Sequence, residues 1–121
     1  IYGGPGNDLI YDGEHSSEIH TGPGNNIVIS GPGKDRFHIG PGENQITGGQ
    51  GPNSYFVDWG GIVTITDWQQ DDQITLVGWP GLPRLQQTGN NVILSLGLSY
   101  IVLVGCTDAN RLLSRIEHQA N

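Results

Sequence analysis

An oxygen-bearing side chain recurs every nine residues through the first half of the chain: Asp8, Ser17, Asn26, Asp35, Asn44 and Asn53. Oxygen donors that include carboxylates suit a hard cation. A net charge of −7 over 121 residues likewise makes cations the favoured small partners, and it argues against nucleic acid and anionic membrane surfaces, which call for a basic patch. Two histidines, His20 and His38, stand eighteen residues apart. Two nitrogen ligands fall short of the three or four protein ligands of a zinc site, so the pair reads as a surface ladder. Catalysis finds no support: there is no G-x-S-x-G elbow, no H-E-x-x-H and no P-loop. Asp67, Asp71 and Asp72 flank a turn and read as turn formers or cap ligands rather than an acid/base pair, so the chain is expected not to be an enzyme.

The elements that must position these groups follow from the same period. Six nine-residue units run without a gap from Gly3 to Phe56. Their second position is always glycine (Gly4, Gly13, Gly22, Gly31, Gly40, Gly49), and their fourth is glycine in five units (Gly6, Gly24, Gly33, Gly42, Gly51), with His15 the exception. Tight turns with positive φ or close backbone approach account for that recurrence. The eighth position is apolar each time: Ile10, Ile19, Val28, Phe37, Ile46 and Tyr55. Strand side chains alternate faces, so one inward residue per unit forms the core, with positions seven and nine outward. The fold class is all-β, a parallel β-roll over 1–56 followed by a β-rich cap over 57–121 in one continuous domain.

In the second half, Ile62 to Trp68, Gln73 to Val77, Val92 to Leu96 and Tyr100 to Val104 read as strands. Ala109 to Gln119 reads as a short amphipathic helix with Asp108 as N-cap and Leu112, Leu113 and Ile116 on one side. Covering the open end of the solenoid is the structural job expected of this half. Cys106 stands alone, which excludes an internal disulfide framework, and reads as a small buried hydrophobe. No stretch is long enough to span a bilayer as a helix. Ile1 and Tyr2 fall on positions eight and nine of an incomplete unit, so the chain is expected to be a piece of a longer protein.

The nonapeptide register, beginning Gly3-Gly4-Pro5-Gly6-Asn7-Asp8-Leu9-Ile10-Tyr11, resembles the RTX or haemolysin-type calcium-binding repeat, and Ile65-Thr66-Asp67-Trp68 with the strands after it looks like the region that caps such repeats. The resemblance implies two units per coil, with loops stacked on loops eighteen residues away and calcium between them. It implies a ligand set of Asp8, Asn26, Asp35, Asn44 and Asn53 with the carbonyls of the loops holding Gly4, Gly6, Gly22, Gly24, Gly31, Gly33, Gly49 and Gly51. No stacked pair at position six offers two carboxylates, so binding is expected to be weak. Asp35, a member of two pairs, is expected to matter most. Four Gly-Pro-Gly loops are partly pre-shaped by proline. The alternative is that the asparagines satisfy loop backbone groups themselves and stack as amide ladders. The family also implies a secreted or cell-surface protein whose roll assists folding, stabilisation and secretion of its parent.

Two units per coil also sort the outward residues. One sheet presents Leu9, Tyr11, Ile27 and Ile29, an oily face expected to be covered by the C-terminal half, by an upstream part of the parent or by a second copy. The other presents Glu18, His20, Arg36 and His38, expected to be solvated, with Glu18 paired to Arg36. A second functional class is a carbohydrate- or surface-binding module in which Trp59, Trp68 and Trp79 supply stacking faces.

Overall fold

The computed structural model describes residues 1–13 and 16–119, so Glu14 and His15, the loop exception, lie outside the described residues. Short strands follow one another at the repeat spacing: β1 (Leu9–Tyr11), β2 (Glu18–His20), β3 (Ile27–Ile29), β4 (Arg36–Ile39), β5 (Glu43–Thr47) and β6 (Ser54–Asp58). Each pairs in parallel with the strand two along, Leu9 beside Ile27 beside Gln45 and Glu18 beside Arg36 beside Ser54. Odd and even strands therefore build two separate sheets, and the chain winds as an all-β solenoid with two units to a coil.

Winding continues past the point where the sequence repeat fades. β7 (Ile62–Ile65) pairs with β5, and β8 (Gln73–Val77) pairs with β6. Thr64 stands opposite Gln45 and Ile74 opposite Tyr55, so the step between coils has grown from eighteen residues to nineteen. β9 (Arg84–Thr88), β10 (Asn91–Leu96) and β11 (Ser99–Val104) form an antiparallel meander, and β11 joins β7 in parallel to extend the first sheet. Both meander loops are two residues long and place glycine first, Gly89 and Gly97, at φ +59° and +62°, as two-residue hairpins favour.

The C-terminal helix is shorter than the sequence pattern predicts. α1 covers only Ala109–Leu112, capped by Asp108 Oδ1, which accepts from the Asn110 and Arg111 N–H groups; a 3-10 turn follows at Leu113–Arg115. The chain then extends as β12 (Ile116–Gln119) along β8, with Ile116 beside Ile74. An unpaired edge of β8 demands backbone partners. Strand pairing over four residues meets that demand while Ile116 still packs on the core. Leu113, assigned to the apolar side, is exposed.

The core holds more than one inward residue per unit. Along a strand, positions six, eight and the next position one all point in, as at Asn26, Val28 and Ser30, or Asp35, Phe37 and Ile39. The apolar row at position eight is nearly solvent-free, with Phe37 stacked on Tyr55 at 5.0 Å, and it continues through Ile65 and Ile74 into Leu94, Ile101 and Leu103 of the cap. Trp79 belongs to this core, donating its indole N–H to the Val57 carbonyl at 3.0 Å, and Trp68 is also buried. Neither offers the stacking face that carbohydrate recognition requires; Trp59 alone of the three is exposed.

The C-terminal half extends the oily sheet edge to edge and does not fold back over its face. Leu9, Tyr11 and Ile27 stand exposed and Ile29 half-buried, although register and sheet assignment are as expected. On the other sheet, the expected Glu18–Arg36 ion pair does not form: Arg36 lies over the Phe56 ring, and Glu18 turns to His20 and His38. Ile46→Ala in the buried row is expected to cost about 2–5 kcal/mol in urea unfolding. Ile27→Lys, on the open face of the neighbouring strand, should stay within roughly 0.5 kcal/mol in the isolated chain.

Candidate metal centre in the glycine loops

The fully described loops reverse the chain between the two sheets in so few residues that loops one coil apart lie backbone on backbone. A Cβ on Gly24 would overlap the Gly6 carbonyl and one on Gly42 the Gly24 carbonyl, while φ at both glycines is above +100°. Only glycine meets both conditions. Crowding of this kind turns several carbonyl oxygens inward towards the position-six side chain, and these acceptors need a positive partner.

In three loops the partner is an asparagine amide. Asn26 Nδ2 donates to the carbonyls of Thr21, Gly22 and Gly24 at 3.2, 3.4 and 3.5 Å. Asn44 Nδ2 donates to Gly40 O at 3.1 Å, and Asn53 Nδ2 to Gly48 O and Gly49 O at 3.0 and 3.2 Å. Their Oδ1 atoms complete a vertical ladder, accepting the backbone N–H of the preceding coil: Asp8 to Asn26, Asn26 to Asn44 and Asp35 to Asn53, at 2.8–3.1 Å. All three side chains are buried. The NH2 groups thus serve the loop carbonyls that a cation would otherwise serve.

The two aspartate loops differ. Asp35 Oδ1 accepts from the Ser17 N–H at 2.9 Å, and its Oδ2 takes the Ser30 hydroxyl at 2.7 Å. That hydroxyl also lies 3.4 Å from Asp12 Oδ2, which brings a second carboxylate into the neighbourhood. Burial raises the Asp35 pKa, opposed by the hydrogen bonds from Ser30 and Ser17 and reinforced by the charge of Asp12. Asp8 has no such help. Its Oδ2 is buried without a hydrogen-bond partner and faces bare backbone: a Cβ built on Gly3 would meet it at 3.1 Å. An orphaned carboxylate oxygen in a loop with the carbonyls of Gly3, Gly4 and Gly6 fits a hard cation, and that of Asp8 fits better than the self-satisfied Asp35.

Asp12 and Ser30 were not legible as site residues, because sequence reading placed the side-chain ligands at position six and the rest on loop carbonyls; both occupy position one of their units. The even column ends on Asp72, in the layer after Asn53. Its Oδ1 accepts from the Asn53 N–H at 2.8 Å and its Oδ2 from the Gln69 N–H at 2.9 Å. Asp67 similarly accepts from the Gly48 and Gly49 N–H groups. Cap carboxylates thus supply the acceptors that another loop would otherwise provide.

Burial pushes the Asp72 pKa up to about 6, against the pull of those two backbone donors. Because this folded value exceeds the unfolded value of about 3.9, the folded state alone holds a proton between them. The associated stability is fully present below about pH 4 and is lost as pH rises through about 6. In chelator, urea stability is therefore expected to fall between pH 4 and pH 7, with Asp72 contributing on the order of 2–3 kcal/mol. Asp72→Asn should flatten that slope.

Residues 2–37 and 20–55 match the RTX calcium-binding nonapeptide repeat, a model of four copies. No match to a curated protein was found. The register of the match is that of the stacked glycine loops, so over residues 2–55 this chain is similar to the RTX calcium-binding nonapeptide repeat.

Proposed function

We propose that the chain is a non-catalytic β-roll module that takes up calcium weakly at its aspartate loops, Asp8 first and Asp35 second, while asparagine amides hold the Asn26, Asn44 and Asn53 loops without metal. Its role on this reading is to fold and stabilise part of a larger extracellular protein. The observation that carries the proposal is the partnerless Asp8 Oδ2 in a loop whose asparagine counterparts have an N–H donor in the same direction. The match of residues 2–55 to a calcium-binding repeat supports the choice of ion. No helix among the described residues is long and apolar enough to cross a membrane.

Calorimetric titration is expected to give weak calcium binding, on the order of 10⁻⁴–10⁻³ M as in extracellular modules. Asp8→Asn should remove more of that heat than Asp35→Asn, because Asp35 already has a hydroxyl donor. Tight filling of four or more sites, or binding unaffected by either substitution, would overturn the assignment.

The asparagine loops provide a second test. In chelator the wild-type chain is expected to keep its β-rich circular dichroism. Asn26→Asp removes the amide donor from three carbonyls and adds a buried charge, and should cost about 1–3 kcal/mol or more. Added calcium should restore that loss in the variant while changing the parent little.

A further inference from the structure

The outer face of the even sheet carries a ladder of rings at position nine, in the order Tyr2, His20, His38 and Phe56. Adjacent centroids are 4.5, 4.2 and 4.9 Å apart and the planes lie within 12° of parallel. Parallel register fixes the row, with Tyr2 bridged to His20, His20 beside His38 and His38 beside Phe56. Glu18, two residues before His20 and so on the same face, aims its Oε1 between the two imidazoles, 3.0 Å from His20 Nε2 and 3.4 Å from His38 Nε2. His38 Nε2 is buried and makes no hydrogen bond.

We infer that Glu18, His20 and His38 form a binding site for a divalent first-row transition ion, separate from the glycine loops. The three ligand atoms lie within 4.8 Å of one another. Tetrahedral zinc with bonds of about 2.0–2.1 Å needs neighbouring ligand atoms about 3.3–3.4 Å apart. Both edges running from Glu18 already approach that length. The edge between the histidines must shorten: a metal lies in the plane of each imidazole, and stacked parallel rings share no such point, so at least one ring turns out of the ladder on binding. Two imidazoles and one carboxylate are a ligand set zinc uses with a fourth position open to water, and imidazole selects transition ions over calcium. Arg36, lying over Phe56, still acts on Glu18 and His38 as a positive charge that a bound ion must tolerate, while Asp58 acts on His38 in the opposite sense.

The probe is zinc, titrated calorimetrically into the full chain in calcium-containing buffer at neutral pH. One zinc per chain is expected, undiminished by calcium. Loss of a direct ligand in Glu18→Gln or His38→Ala should weaken binding by at least the roughly 10–100-fold that removing an outer-shell partner costs. Asp8→Asn should leave it unchanged. In the wild-type chain the Nε2 resonances of His20 and His38 should move on zinc addition while that of His118, bonded to the Trp79 carbonyl at 2.6 Å, stays put. Cobalt in place of zinc should give the absorption of a four-coordinate ion. No saturable uptake, uptake untouched by Glu18→Gln and His38→Ala, or resonance shifts confined to other histidines would each overturn the inference.

Discussion

Converging carbonyl oxygens in a tight glycine loop cannot be left unpaired, and the architecture of this chain depends on how that condition is met. A buried acceptor without a partner costs more than a hydrogen bond gains. Either a cation or an N–H donor resolves it. Asn26, Asn44 and Asn53 use the donor and tie each loop to its own carbonyls through Nδ2 and to the preceding coil through Oδ1. Asp35 keeps the second link, to the Ser17 N–H, and forfeits the first. That difference of one donor group separates the asparagine loops from the aspartate loops.

Stacking imposes the remaining requirements. Glycine is needed where one loop backbone rests on the next, an apolar residue fills position eight, and the two sheets follow from two units to a coil. Where the cap takes over, Asp67 and Asp72 replace loop side chains as acceptors and β7 and β8 extend the same sheets. The cap is thus a continuation of the roll whose coil has grown by one residue, closed off by a meander on one sheet and β12 on the other.

The roll was legible because a period of nine constrains every unit in the same way: glycine at the turn, an apolar residue at position eight, and therefore register and sheet assignment. Repetition multiplies a weak local signal. The tail was not legible, since Leu112, Leu113 and Ile116 satisfy a helical spacing while the exposed edge of β8, a tertiary demand, draws Ile116–Gln119 into a strand. The roles of Asp12 and Ser30 escaped for a related reason, as they meet Asp35 only through the fold. Glu18 pairs in register with Arg36, yet register fixes backbones and not the direction of a long side chain, and the histidines one way and Phe56 the other separate the two charges.

The buried ladder also has a polarity. In the even column Asp72 holds the N–H of Asn53, Asn53 that of Asp35, and Asp35 that of Ser17; in the odd column Asn44 holds Asn26 and Asn26 holds Asp8. Every rung has its acceptor on the C-terminal side and its donor on the N-terminal side. At position five, on the exposed side of the loops, the polarity is reversed: the N–H groups of Asn25, Lys34 and Glu43 are held by Asn7, Ser16 and Asn25. Each layer therefore takes its buried acceptor from the coil after it and its exposed one from the coil before it, and a coil in the middle of the roll is locked from both sides.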